Sequence, residues 1–334
     1  MAKQNPSEQL DRVVSAILGL SALPLSPHDV SRRFDPAVAP FIEVISDLRK
    51  LPRPDFKERL KADLERRVGM TASAKQPQEH ASLREGFHSI TPYLILTGAG
   101  SWIEFVKQAF RAEEHLRVQR PGQGDDIMHA EVQIGDSMIE LADANPQIPA
   151  MPGALWFRVD DVDAAYHRAL EAGATPIQAP SDQEYGSRDG SLRDRFGNHW
   201  YLYTPKPGSR LFEGLHSVTP YLHPLRGAVL IEFLEKAFGG EEVYRAQSPD
   251  GVIHHAQVRI GDSMIGMGDA HGVYQPMPST LHLYVSDADQ TYEQALRAGA
   301  RSIQPPADQP YGERNAGVVD PFGNRWFIAT PTRR

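Results

Sequence analysis

Between residues 83 and 205 the apolar positions change period in a fixed order. A short apolar run at 90–96 reads as a strand. It gives way to Ile103, Val106 and Phe110, spaced as one face of a helix over 102–110. Strand patterns follow near 115–120, 127–134 and 137–142, with Gly135-Asp136 as a tight hairpin signal between the last two. The order then restarts. A strand at 154–159 leads to a helix at 161–172, with Asp161 as N-cap and Gly173 as its stop. Strands near 175–179, 190–194 and 199–204 complete a second unit of the same kind. Each unit is a βαβββ module.

The whole pattern then repeats. LREGFHSITPYL (83–94) returns as LFEGLHSVTPYL (211–222), and HAEVQIGDSMIELAD (129–143) as HAQVRIGDSMIGMGD (255–269). YGSRDGSLRDRFGNHWYLYTP (185–205) returns as YGERNAGVVDPFGNRWFIATP (311–331). Self-similarity at this scale predicts two homologous domains, 83–205 and 211–334, joined by a short linker at 206–210 around the PKPGS stretch. Residues 1–70 read differently, as a helical region with helices at 7–22, 35–50 and 54–68. A polar linker at 71–82 separates it from the repeats. The apolar stretch 13–25 is short for a membrane span, and Glu8 and Asp11 precede it where a signal peptide would carry positive charge.

The two copies show which strand face is core. Ala130, Val132 and Ile134 match Ala256, Val258 and Ile260. The alternate row His129, Glu131, Gln133 has diverged to His255, Gln257, Arg259. At 155–159 the apolar row Leu155, Phe157, Val159 is kept, whereas Trp156 becomes His282 and Arg158 becomes Tyr284. In the last strand Tyr201 becomes Phe327. A kept apolar face and a varied face rich in aromatics predict a core on one side and a ligand cavity on the other. Within the kept frame, Glu140 of the first copy stands where the second has Gly266.

Composition narrows the function classes. The net charge is -8 and no basic run occurs, which argues against nucleic acid or an anionic membrane surface as partner. The chain has no cysteine, so thiolate catalysis, disulfides and cysteine zinc sites are excluded. This fits a cytoplasmic protein.

The motifs GFHSITPYL, HAEVQIGDSM, VDDVDAAYHRALEAGA, YGSR and DRFGNHW, with second-copy partners including LHLYVSDADQ and DPFGNRW, occur in order over residues 83–331. In this the chain resembles the vicinal oxygen chelate (glyoxalase / bleomycin resistance / dioxygenase) superfamily, and within it the PhnB-like branch. The resemblance implies an α+β fold of two tandem glyoxalase-like domains, each of two βαβββ modules with curled mixed sheets around a cavity. In the enzymes of that superfamily a divalent metal sits in the cavity, held from the first, fourth, fifth and eighth strands. Here Glu140 falls on the fourth-strand position. The first falls near His88 or Ile90, the fifth on Ala154 and the eighth on Tyr201. The second copy offers His216 or Val218, Gly266, Thr280 and Phe327.

A complete metal set is therefore not expected, and no cofactor is assigned with certainty. The open alternative is a divalent metal in the first domain on Glu140 and His88. Glu140 and His129 are the candidate acid–base residues. Trp156, Arg158, Tyr201, Glu131, His255, His282, Tyr284, Phe327, Arg188 and Arg314 are the candidate ligand-binding residues. Arg188 and Arg314 have a structural reading too, as salt bridges to Asp194 and Asp320, and Glu140 could pair with Arg158 or Arg117. Three functions stay open. One is binding of a small organic ligand without an obligatory metal. Another is a metal-dependent lyase, isomerase, dioxygenase or transferase, and the third a ligand-sensing interaction protein using the N-terminal helices. The expected state is a monomer with an internal pseudo-dimer, or a homodimer.

Overall fold

A computed structural model describes residues 83–332. The helices expected at 7–22, 35–50 and 54–68 and the linker at 71–82 lie outside the described residues. The first module comprises β1 (Ile90–Leu96), α1 (Ala99–Phe110), β2 (Glu113–Gln119), β3 (Ile127–Ile134) and β4 (Ser137–Asp143). The second comprises β5 (Ala154–Arg158), α2 (Val162–Glu171), β6 (Thr175–Gln183), β7 (Ser187–Arg193) and β8 (His199–Pro205). The third comprises β9 (Val218–Leu222), α3 (Gly227–Phe238), β10 (Glu241–Gln247), β11 (Ile253–Ile260) and β12 (Ser263–Met267). The fourth comprises β13 (Thr280–Tyr284), α4 (Ala288–Arg297), β14 (Arg301–Gln309), β15 (Glu313–Val319) and β16 (Arg325–Pro331).

The expected α+β architecture of four modules is present. Local signals act as read. Asp161 accepts a hydrogen bond from the Ala164 N–H at the start of α2, and Gly173 supplies a positive φ of 98° just past its end. Ile103, Val106 and Phe110 of α1 are buried with Trp102 beneath the sheet. The kept row Ala130, Val132, Ile134 lies in the same core, and its copy Ala256, Val258, Ile260 lies in the second.

The strands form two eight-stranded mixed sheets. One runs β14-β15-β16-β13-β1-β4-β3-β2, the other β10-β11-β12-β9-β5-β8-β7-β6. At the middle of the first, β1 and β13 pair antiparallel with Thr91 opposite His282. In the second, β5 and β9 pair with Trp156 opposite Thr219. Each sheet thus joins modules from different repeats: the first with the fourth, the second with the third.

The hairpins that begin Gly-Asp-Ser hold this exchange. The Asp262 carboxylate accepts from the Ser89 N–H, and the Ile90 N–H donates to Ser263 Oγ. In mirror fashion Asp136 accepts from the Ser217 N–H, and the Val218 N–H donates to Ser137 Oγ. Gly135 and Gly261 have φ of 61° and 62°, and a Cβ at either would come within 2.7 Å of the partner serine's Cβ. The sequence Ile-Gly-Asp-Ser is identical in both copies because each copy grips the other through it.

The DRFGN and DPFGN turns are a second device. Asp194 takes five donors: the indole N–H groups of Trp102 and Trp200, the Asn198 side chain, and the backbone N–H groups of Phe196 and Asn198. Asp320 takes four: the Trp326 indole N–H, the Asn324 side chain, and the backbone N–H groups of Phe322 and Asn324. Gly197 and Gly323 adopt the positive φ that the turns require, 96° and 91°. These saturated carboxylates leave nothing for Arg188 or Arg314. Arg188 instead pairs with Asp163 at the start of α2 and with Asp182, and Arg314 pairs with Asp289 and Asp308. The expected partners Asp194 and Asp320 are corrected accordingly.

Candidate functional site

The concave face of the first sheet encloses a cavity of about 1120 Å³. Residues on β1, β3 and β4 form one wall and residues on β13, β15 and β16 the other, so both repeats build it. Tyr93, Val118, Tyr284, Tyr311 and Phe327 supply apolar and aromatic surface. Met128 joins them against simple alternation, which would send it into the core with Ala130. The β2–β3 register shifts between Val118 and Gln119, and the bulge turns Met128 out to the cavity.

The polar residues gather at the centre. Glu131 and Glu140 lie directly opposite each other on β3 and β4, and two carboxylates so placed repel unless each has its own cation. Each has one. Arg84 grips Glu131 with both guanidinium nitrogens, at 2.9 and 2.7 Å. His282 Nδ1 donates to Glu140 at 2.7 Å, and its Nε2 lies 3.5 Å from Glu313. His129 sits between the pairs, 3.4 Å from Glu131 and 3.9 Å from Glu140. Its other nitrogen is 3.4 Å from the Tyr93 hydroxyl. The expected pairing of Glu140 with Arg158 or Arg117 does not occur: Arg117 bonds Glu114, and Arg158 is exposed at the end of β5.

The electrostatics follow from these contacts. Burial opposes a charge on His282, but Glu140 and Glu313 outweigh it and push its pKa up to about 10. Burial likewise opposes a charged Glu131, and the hydrogen bonds from His129 and Arg84 override it, holding that carboxyl at about 2. His282 also holds Glu313 below its ordinary value against burial. The Glu313 oxygen that faces His282, Oε2, is buried and makes no hydrogen bond within normal geometry, so this contact is an ion pair. Burial raises the Tyr93 and Tyr284 hydroxyls, so both stay neutral donors.

In the second sheet the floor of the corresponding space is filled by its own side chains, and a smaller pocket of about 790 Å³ remains above it, lined by Tyr185, Leu211, Tyr244 and Gln257. Trp156 packs against Tyr203, Phe212 and His255 at ring-centroid distances of 4.8, 5.6 and 5.0 Å. Burial lowers His255 and His223 to about 4, so both are neutral. The residues that differ between the copies differ in pairs. Arg84 and Glu131 correspond to Phe212 and Gln257, and Glu140 and His282 to Gly266 and Trp156. With tryptophan in place of the histidine, a carboxylate at 266 would have no cation. A Cβ there would also lie 2.7 Å from the Tyr221 ring and 3.4 Å from Trp156. The glycine at 266 therefore belongs to the aromatic filling.

Of the sequence-derived site residues, Glu131, Glu140, His129, His282, Tyr284 and Phe327 come together in the open cavity. Trp156, Tyr201 and His255 lie in the filled half. Arg188 and Arg314 tie loops to helices, and His88 stacks on His216 at the junction of the repeats. Arg84 and Glu313 escaped the sequence reading. Yet Arg84 differs from Phe212 and Glu313 from Ser187, the same inner-face divergence that marks the others.

The donors present do not fit a catalytic metal at the superfamily's positions. Around this cavity they offer Glu140, Thr280 with His282 two residues on, and Phe327, which has no donor. Glu140 and His282 are bonded to each other. His129, Glu131 and Glu140 bring donor atoms within 4.8 Å, but an ion there would have to displace Arg84 and His282 from carboxylates they already neutralise.

Comparison with known proteins agrees with the fold. The family model described as Glyoxalase/Bleomycin resistance protein/Dioxygenase superfamily matches residues 93–202 and 228–328. An uncharacterized protein of Mycobacterium bovis is 37% identical over 128 residues, covering 35% of this chain and 83% of its own. A Mycobacterium tuberculosis counterpart is 37% identical, over 35% of this chain and 74% of its own. Glyoxalase I from Zea mays matches with a TM-score of 0.56 at 16% identity, over 72% of this chain and 92% of that one, which speaks for the fold alone. The chain belongs to the Glyoxalase/Bleomycin resistance protein/Dioxygenase superfamily, in a two-repeat form whose modules pair first with fourth and second with third.

Proposed function

We propose that this protein binds one small, largely aromatic or amphipathic molecule in the cavity between the first and fourth modules, without an obligatory metal. The observation that carries the reading is the contrast between the two sheets: a cavity of about 1120 Å³ that reaches the charged floor of one, and on the other a smaller pocket of about 790 Å³ whose floor is filled by aromatic side chains. Apolar walls around a few convergent polar groups suit an organic ligand. Three carboxylates, Glu131, Glu140 and Glu313, face two fixed cations, Arg84 and His282, so the polar floor carries a surplus of acceptors. That floor favours a ligand whose polar end is an amine or another hydrogen-bond donor, placed near His129 between the Glu131 and Glu140 carboxylates. The metalloenzyme alternative lacks a donor set here.

The test is calorimetric titration of a panel of aromatic amines beside their carboxylate analogues. Saturable 1:1 binding of amines is expected, weakened by Leu116→Trp, which narrows the mouth from an exposed position on β2. No binding by any member, or binding indifferent to Leu116→Trp, overturns the reading.

A further inference from the structure

The second sheet keeps a pocket of its own, of about 790 Å³, that the amine reading does not use. Half-exposed Tyr185, in the turn from β6 to β7, and Tyr244, on β10, line its mouth. β6 and β10 are the two edges of that sheet, so the sheet curls until both edges border one opening. The segment 206–211 that joins the repeats closes one side, and the buried side chains of Met264 and Gln257 stand at the inner end.

The orientation of Gln257 follows from its neighbours. Its side-chain nitrogen lies 2.9 Å from the Leu211 backbone oxygen. A carbonyl oxygen only accepts, so the atom facing it is the amide nitrogen. The second N–H of that nitrogen meets His255 Nε2 at 3.1 Å, which is therefore the lone-pair nitrogen of the ring. His255 Nδ1 carries the proton and donates to the Tyr221 hydroxyl at 3.1 Å. His129, the counterpart of His255, turns Nε2 to the Glu131 carboxylate and so takes the other tautomer. With both N–H bonds of Gln257 spent, its oxygen Oε1 is left as one acceptor for the pocket that the residue lines, and no described residue donates to it.

The floor around that acceptor is uncharged. Arg84, Glu131, Glu140, His282 and Glu313 of the first cavity correspond here to Phe212, Gln257, Gly266, Trp156 and Ser187. Burial keeps His255 neutral. The one carboxylate gained, Asp189 for Asn315, is capped by Tyr185, whose hydroxyl donates to it at 2.7 Å. At the rim Lys206, Arg210 and Arg259 are mixed with Glu184 and Glu213, so neither sign is favoured. A charged ligand would give up water for a floor without a counter-charge, which is costly. A neutral donor would meet an acceptor already held in place. Tyrosine rings and a methionine thioether suit a flat aromatic body.

We propose that this pocket is a second ligand site, specific for an uncharged planar aromatic molecule with one hydrogen-bond donor, of the phenol or indole class, whose donor bonds Gln257 Oε1. The two sheets would then carry sites of different preference, one for a cationic donor and one for a neutral donor. The proposal rests on residues that the first cavity does not share, and it stands independently of the amine reading.

The experiment is a titration of the full chain, isotope-labelled at its methionine methyls, followed by NMR. Met264 lines this pocket and Met128 the first cavity, so the two sites report separately. Naphthol should shift the Met264 methyl saturably. Its methyl ether lacks the donor and should bind there about tenfold more weakly. Naphthoate and naphthylmethylamine should bind there no better than the ether. Gln257→Leu should remove the advantage of naphthol over the ether. A Met264 methyl that none of these molecules moves, equal affinity for naphthol and its ether, or a charged analogue that binds there more tightly than naphthol would each overturn the proposal. So would an advantage of naphthol that survives Gln257→Leu. Should that variant fail to fold, naphthol against its ether in the wild type still decides. Binding of amines to the first cavity is read apart from this, at Met128.

Discussion

Glu140 and His282 lie 142 positions apart in the chain and 2.7 Å apart in space. One comes from each repeat, and the bond forms because β13 continues the sheet that β1 and β4 begin. Glu140, His282 and Glu313 make a buried charge triad that neither repeat could make alone. Its loss should be costly, since removing one member leaves uncompensated charge in the cavity wall. His282→Gln should destabilise the fold by about 3–5 kcal/mol, measured by urea denaturation. Glu140→Gln in the same chain should restore part of that loss. A double variant whose loss equals the sum of the two single losses would mean that the pair is not coupled.

The same triad makes a pH prediction. His282 has an ordinary value of 6.5 and is raised to about 10 in the folded chain. Its contribution to stability is therefore present in full below pH 6.5, and is lost as pH rises through about 10. The difference in unfolding free energy between wild type and His282→Gln should shrink across that window. A difference that is flat from pH 6 to pH 10 would contradict a charged His282.

Glu131 has the opposite sign. Its carboxyl falls from 4.5 to about 2, so its contribution is present above pH 4.5 and fades as pH drops through about 2. Arg84→Met should move the Glu131 carboxyl back up, read by carboxyl-carbon NMR titration. Because the Arg84 side chain is 64% exposed, added salt should reproduce part of the shift in the wild type.

Gly266→Ala should cost about 1–3 kcal/mol by overpacking, since the added methyl meets the ring of Tyr221. Gly266→Glu should be worse, because it buries a carboxylate beside Trp156 with no cation in reach. Thermal denaturation of both variants checks the order. A Gly266→Glu chain as stable as wild type would show that the second sheet can open to form a cavity like the first.

A chain of residues 83–205 alone has both β1 and β5 without their central neighbours, β13 and β9. It should be a dimer that supplies the missing modules from a second copy. Light scattering behind size exclusion measures this directly, and a folded monomer would contradict the exchange.

Much of this was legible along the chain. The period of apolar residues located the modules, because alternation and helical spacing are local consequences of backbone geometry. Comparing the copies separated core from cavity, since Ala130, Val132 and Ile134 stay apolar while Glu131 and His282 change. Met128 was hidden because a bulge alters alternation without altering composition. Arg84 was hidden because it precedes β1 and reaches Glu131 only across the folded sheet.

What the sequence determined by itself is the four modules, their two core faces and the positions where the repeats diverge. All of these depend on neighbours a few residues apart. What only the tertiary structure decided is which modules share a sheet, and hence that Glu140 meets His282 while Gly266 meets Trp156. A strand's side-chain pattern says which way it faces and nothing about which strand lies beside it. That choice rests on contacts such as Ser89 with Asp262, 173 residues away, and they exist only once the two repeats have closed on each other.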